Sequence, residues 1–155
     1  MLGRGARGAG RGLRIPKGLY DQIIAHCRSS HPKEACGILA SLVVAGGPII
    51  RMYPMTNVED SAIGYSMEPK EQLQVEKQMR ERAERMCGIY HSHTASPAYP
   101  SPVDVSLAIS PDISYVVVSL ERLDSPDFRS YRITGAHVVE EHVEVEGLAP
   151  WARQR

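Results

Sequence analysis

At 155 residues the chain has room for one domain of common size with one hydrophobic core. Its 18 Lys and Arg balance 18 Asp and Glu, a formal net charge of zero. That excludes a general electrostatic binder of nucleic acid or membrane surface, and no apolar run is long enough to cross a bilayer. Three cysteines, Cys27, Cys36 and Cys87, with no CxxC pair, leave neither a disulfide framework nor a four-cysteine zinc site and point to a reducing, cytoplasmic setting.

Residues 1–14, "MLGRGARGAGRGLR", form a Gly/Arg-rich segment expected to be a disordered tail. It lacks the apolar stretch of a secretory signal and any aromatic that would stack on RNA bases. The domain is expected over 15–146. Leu19, Ile23 and Cys27, four apart, predict a first helix within 15–30, with Pro16 in its first turn. "ACGILASLVV" and "PIIRMYPMTN", separated by a Gly46–Gly47 turn, predict a hairpin. "VEDSAIGYSM" reads as a loop. A second helix is predicted over 69–86, with Val75, Met79, Ala83 and Met86 on its apolar stripe and Glu76–Arg80 and Glu81–Arg85 as i,i+4 pairs.

"CGIYHSH" predicts a buried strand and "SPVDVSLAIS" a third helix stopped by Pro111. "SYVVVSL" is apolar on both faces, hence a central strand. "FRSYRIT" and "HVVEEHVEV" alternate, so each predicts a strand with one wet face. Residues 147–155 read as a C-terminal tail with Trp151 available to dock. Helices interleaved with strands imply an α/β (α+β layered) domain, a mixed sheet with helices packed on it.

The chemistry concentrates at 91–104, "HSHTASPAYPSPVD". Residues two apart on a strand share a face, so His91 and His93 point the same way. Ser101, Pro102 and Asp104 suit the N-cap, N1 and N3 positions of a helix, and by themselves they describe a capping box. Together with the histidines they also describe two imidazoles and a carboxylate, a common ligand set for a catalytic zinc that keeps a fourth position for water. Such a site needs a carboxylate base that is not a ligand. Glu34 in "HPKEACGIL" stands at the start of an apolar strand, where a carboxylate is costly, although its local sequence also fits a solvated residue after the first helix.

Glu34 followed by "CGIL", and "HSH" with seven residues before "SxxD", resemble the JAMM metalloproteases, also called the MPN-plus or Mov34/MPN/PAD-1 family. The resemblance runs from about Ile15 to Val145 and fills all five motif positions. It implies zinc (Zn2+) ligation by His91, His93 and Asp104, a general base at Glu34 and oxyanion support from Ser101. "PMTN", "YHSHT" and "AYPS" look like the bacterial Mec+ type, which implies a ubiquitin-like sulfur-carrier protein ending in Gly-Gly as partner and cysteine as leaving group. The substrate tail is expected to lie along a strand edge. Asn57 and Tyr65 in "MTNVEDSAIGYSM", and Tyr99, are the expected substrate-binding residues.

Three other readings remain at this point. The chain is a general JAMM isopeptidase removing ubiquitin-like modifiers, or a non-catalytic MPN docking module, or a zinc deaminase; the last lacks its His-x-Glu and Pro-Cys-x-x-Cys signature here. Cys36 and Cys87 sit in apolar runs and read as buried structure rather than thiol nucleophiles. His26 and His31 flank the end of the first helix, and His137 and His142 read as surface residues.

Overall fold

A computed structural model describes residues 12–43 and 47–147. Gly46 of the expected turn, Trp151 and most of the two expected tails lie outside them. Eleven elements follow in chain order: β1 (Leu13–Pro16), α1 (Lys17–Ser30), β2 (Cys36–Leu42), β3 (Arg51–Met55), α2 (Pro69–Glu81), β4 (Glu84–His93), α3 (Pro102–Ser106), β5 (Ser114–Ser119), β6 (Asp127–Thr134), β7 (His137–Glu141) and β8 (Val143–Glu146). Six strands form one sheet in the order β3-β2-β4-β5-β6-β7. Its pairs are antiparallel except β4–β5, which is parallel. Strands β1 and β8 form a separate parallel pair.

The alternation of β2 explains the layering. Ala35 and Leu39 face a core shared with Ile23 and Cys27 of α1, Tyr90, Val116 and Val118. Cys36, Ile38 and Ala40 face the other way, onto Val75 and Met79 of α2. Helices therefore cover both faces of the sheet, and a strand between them must be apolar on both sides. Strand β5 meets that demand, with every residue from Ser114 to Ser119 buried, as its sequence predicts.

Four expected boundaries move. The ordered domain begins before Ile15: Leu13 and Arg14 belong to β1, and α1 begins only at Lys17. The second helix ends at Glu81 rather than 86, because Ala83 takes a left-handed φ of 53° and turns the chain into β4. Met86 thus stands on a strand, and the Glu81–Arg85 pair loses its helical geometry. The third helix stops at Ser106, short of Pro111. The alternating C-terminal run is two strands: after β7 the chain leaves the main sheet at His142, and β8 pairs with β1.

The early end of α2 places Glu84 inside. Its side chain is 1 % exposed and accepts from Arg51 Nε at 2.7 Å and Tyr53 Oη at 2.5 Å. Arg82 donates to the same Tyr53 hydroxyl at 2.9 Å. Burial works against the Glu84 charge, but the bonds from Arg51 and Tyr53 outweigh it and hold the carboxyl below its ordinary range. A carboxyl depressed on folding stabilises the native state above its unfolded pKa and loses that contribution as pH falls through the folded value. Glu84→Gln is therefore expected to lower stability at pH 7 by about 1.5–3 kcal/mol, the range for hydrogen bonds to a charged group. Urea denaturation should show the gap to wild type closing below about pH 4.

Candidate active site

Two local rules and one register place the site. Strand β4 lies between β2 and β5, so its C-terminal end is held on both sides. Alternation turns His91 and His93 to one face there. Cys36 pairs with His91 across β2–β4, and the pairing continues beyond the strand: Ala35 N donates to Ser92 Oγ at 2.8 Å, and Ser92 N donates to Ala35 O at 3.1 Å. The same antiparallel count brings Glu34 opposite His93, on the imidazole face. Glu34 is 4 % exposed, so the solvated-loop alternative does not hold.

The short helix α3 supplies the fourth group. Ser101 caps it: Asp104 N donates to Ser101 Oγ at 3.1 Å, and Ser101 N donates to Asp104 Oδ2 at 2.8 Å. That same Oδ2 lies 3.1 Å from His91 Nε2 and 3.0 Å from His93 Nε2, and the two nitrogens are 3.1 Å apart. The capping box and the ligand-type cluster predicted from 91–104 are thus one arrangement. Glu34 also offers a carboxylate oxygen within 4.8 Å of both imidazoles. The shortest contacts nonetheless define a triangle of His91, His93 and Asp104 with Glu34 beside it.

The chemistry of this triangle fits a cation. His93 Nδ1 lies 2.9 Å from Pro97 O, which can only accept, so the ring carries its proton on Nδ1. A neutral His93 then aims a bare Nε2 lone pair at a carboxylate oxygen 3.0 Å away. One proton between them would relieve a single pair of acceptors; a cation at the centre satisfies all three atoms at once. Burial lowers the pKa of His91 against the pull of Asp104, which favours the neutral, ligating form. Burial also opposes a charge on His93, but the bonds with Asp104 and Pro97 prevail and raise it. Burial alone would raise the Asp104 carboxyl; the bonds from both histidines and the Ser101 amide hold it well below the usual carboxylate range.

Glu34 behaves oppositely. Burial pushes its carboxyl up to about 7, with Asp104 and Glu59 adding to the rise and His93 opposing it. Its side chain has no ion-pair partner among the described residues. Glu34, Ala62, Ile63, His93, Ser101 and Asp104 share one cleft of about 300 Å³.

The three expected substrate contacts separate. Tyr65 stacks on the His91 ring at 4.7 Å and 27°. Tyr99 is 56 % exposed beside the site, its ring set edge-on to Tyr131 at 5.4 Å. Asn57 faces inward instead of toward the cleft, with both ends of its amide bonded to backbone. From the expected wall segment, Ala62 and Ile63 line the cleft, and Thr94 Oγ1 ties that segment to the end of β4 through Ala62 O at 2.9 Å. Ser92 and the Pro97 carbonyl were not anticipated. The "HSH" pattern carried the only signal for Ser92, which alternation turns away from the imidazoles. Cys36 is fully buried toward α2, where burial pushes its thiol up to about 12, and burial also raises Cys87; neither is a nucleophile here.

The chain is similar to known proteins. Residues 16–134 match the family of prokaryotic homologs of the JAB domain. A Mycobacterium tuberculosis protein described as a CysO-cysteine peptidase is 45 % identical over 133 residues, 86 % of this chain and 90 % of that one. A Thermus thermophilus protein described as a probable TtuB-protein conjugate cleaving protease is 33 % identical over 97 residues, 62 % of this chain and 63 % of that one. A solution structure from Desulfitobacterium hafniense superposes with a TM-score of 0.79 at 34 % identity, covering 90 % of this chain and 96 % of the other. The class these define is the metal-dependent peptidase. Within it, the chain belongs to the JAMM/MPN family, in its prokaryotic JAB branch, and is a metallopeptidase of the JAMM type.

Two substitutions at Asp104 test whether the residue that caps the helix also holds a metal. Asp104→Ala removes the cap, at an expected cost of about 1 kcal/mol of stability, and any metal bound through the carboxylate. Asp104→Asn keeps an oxygen for the Ser101 amide but loses the charge. Elemental analysis after dialysis should find it depleted of metal, while its metal-free melting temperature falls between those of metal-free wild type and the alanine variant, since it keeps the cap oxygen and loses the stabilising charge.

Proposed function

We propose that the chain is a zinc hydrolase that cleaves the amide bond after the C-terminal Gly-Gly of a ubiquitin-like sulfur-carrier protein and releases cysteine. The observation that carries the chemistry is the Glu34 carboxyl, raised toward neutrality, on the same cleft as the His91–His93–Asp104 triangle. The substrate comes from the likeness to the CysO-cysteine peptidase, which spans most of both chains.

In this proposal His91, His93 and Asp104 would hold the zinc, two neutral imidazoles and a carboxylate being a common catalytic ligand set. Zinc bound there would supply Lewis acidity to a water and to the scissile carbonyl. Glu34, on the same cleft and with no ion-pair partner among the described residues, takes the proton of the attacking water. It returns that proton to the departing amine. Ser101 Oγ accepts from Asp104 N, so its own hydrogen is free to donate to the developing oxyanion. The Pro97 carbonyl fixes the His93 ring, and Tyr65 covers one face of His91. Glycines at the substrate terminus suit a narrow cleft, since they alone let a backbone approach without a side chain. Ala62 and Ile63 form one wall for that tail; Tyr99, exposed two residues before Ser101, is the proposed further contact.

The likeness to the TtuB-conjugate protease supports a second reading, removal of ubiquitin-like modifiers from proteins. One experiment separates the two. The zinc-loaded protein is incubated with Gly-Gly carriers bearing a C-terminal cysteine and, separately, with the same carriers joined to a lysine side chain, and products are read by intact mass. Loss of cysteine is the expected result. Cleavage of the lysine conjugates alone replaces cysteine release with the second reading. Glu34→Gln should retain one zinc per chain while turnover falls on the order of 10²–10⁴-fold; wild-type turnover in this variant removes Glu34 from the mechanism.

A further inference from the structure

The strongest unexplained feature near the site is the side chain of Asn57. It is half-buried just past β3, at the neck of the 57–67 segment that lies over Glu34. The neck is closed by backbone: Asn57 bridges to Met67, Val58 N donates to Ser66 O at 2.8 Å, and Glu68 N donates to Thr56 O at 3.1 Å. Inside it, Asn57 Nδ2 donates to Glu34 O at 3.1 Å and to Gly64 O at 3.0 Å. Asn57 Oδ1 accepts from Glu59 N at 3.1 Å and from Ser66 N at 2.9 Å. Two donations and two acceptances use the full hydrogen-bonding capacity of a carboxamide. They also fix which end is nitrogen, since carbonyls can only accept and amides can only donate. Nothing polar remains on Asn57 to offer a substrate.

We propose that Asn57 is a positioning residue for the catalytic base, acting through Glu34 and, on the other side of the segment, through Tyr65. This rests on the proposed role of Glu34. The Glu34 backbone is held at both of its polar groups by one segment: its N–H donates to Ser61 O at 2.8 Å and its carbonyl accepts from Asn57. Glu34 precedes β2 and lies outside the regular ladder, so these bonds replace strand pairing on that side. Gly64 and Ser66, the residues on either side of Tyr65, are bonded by the same carboxamide, which sets the ring that stacks on His91. One side chain thereby couples the base to the cover of a metal-ligating ring. Aspartate has the same shape but no donor. At position 57 it would leave Glu34 O and Gly64 O facing a carboxylate.

Asp60 provides the control, because its exposed ion pair with Lys33 ties the same segment down and it does not line the cleft. The test compares zinc-loaded wild type, Asn57→Asp, Asn57→Ala and Asp60→Asn. Its readouts are zinc content, kcat and KM on a carrier–cysteine conjugate, and amide exchange at Glu34 and Ser66. For Asn57→Asp the expected result is one zinc per chain, KM within about threefold and kcat lower on the order of 10²-fold, the scale of a misplaced catalytic group. Amide exchange at Glu34 should quicken, while the Ser66 N–H keeps an acceptor at the aspartate oxygen and should exchange as in wild type. Asn57→Ala should show the same loss of kcat and quicken Ser66 as well, while Asp60→Asn should keep kcat within about threefold.

A rise in KM with kcat unchanged would make Asn57 a substrate contact and overturn the proposal. So would an equal loss of kcat in Asp60→Asn, which would assign the effect to tethering of the segment. If wild type cleaves no conjugate, the proposed function fails by itself. The positioning role is then read from crystal structures of wild type and Asn57→Asp, or Asn57→Ala if the aspartate variant does not fold. A Glu34 carboxylate that stays in place in the variant refutes it, and one that moves away from His93 supports it.

Discussion

One oxygen atom holds this site together. Asp104 Oδ2 accepts the Ser101 amide that closes the first turn of α3 and also stands about 3 Å from both imidazole nitrogens. Helix α3 has five residues and buries none of them fully, so length and packing cannot stabilise it. Its start is set by Pro102 at N1 and by the reciprocal bonds of Ser101 and Asp104. The carboxylate that fixes the helix is therefore the one that the helix presents to the histidines. A cation drawn to the triangle would tighten the cap, and the cap holds the carboxylate in place before any cation arrives.

The other half of the site depends on register. Glu34 and His93 are brought opposite each other by the antiparallel pairing of β2 and β4, continued by the reciprocal bonds of Ala35 and Ser92. A slip of one residue would turn Glu34 to the far side of the sheet. Several features guard against it. Gly37 lies under the Tyr90 ring, where an added Cβ would meet ring carbon at 2.2 Å, and the Tyr90 hydroxyl is hydrogen-bonded to His26 Nδ1 at 2.7 Å. Alternate residues of β2 fill two separate cores, so neither face tolerates the other's side chains. The layers that make the fold stable also set the distance between Glu34 and the two histidines.

What the sequence made legible follows this division. His91, His93, Ser101 and Asp104 fall within fourteen consecutive residues, and strand alternation plus helix capping suffices to aim them together. Glu34 is remote in sequence: its place at the start of an apolar strand makes it a candidate, but a solvated loop residue fits as well, because register between distant strands leaves no local trace. Helix α2 was read too long because residues 83–86 suit either period: Glu84 and Met86 alternate as on a strand, while Met79, Ala83 and Met86 continue a helical stripe. Burial of Glu84 against Arg51 and Tyr53 decided for the strand. The break at His142 had no signal either, since the alternation runs through it and only pairing with β1 divides β7 from β8. Asn57 reads from sequence as a substrate contact, because its partners are backbone atoms, which sequence does not distinguish.

The two carboxylates of the site show how burial can act in opposite directions. Both lose water. Asp104 gains an amide and two imidazoles, stays ionised and stabilises the fold wherever it is charged. Glu34 gains no such partner, and its carboxyl rises from an ordinary 4.5 to about 7. For a carboxyl raised on folding the sign reverses. The native state is favoured below the unfolded value, and that advantage is lost as pH climbs to about 7. Above that the ionised group costs the metal-free fold roughly 3 kcal/mol, at 1.36 kcal/mol per pKa unit. A fold selected for stability alone would replace Glu34 with an apolar residue at the head of β2. In the proposed hydrolase the same carboxyl has a use there, as acceptor of the proton of the attacking water. The bonds of Ser61 and Asn57 to its backbone, and of Ser92 beside it, keep that uncomfortable group in place.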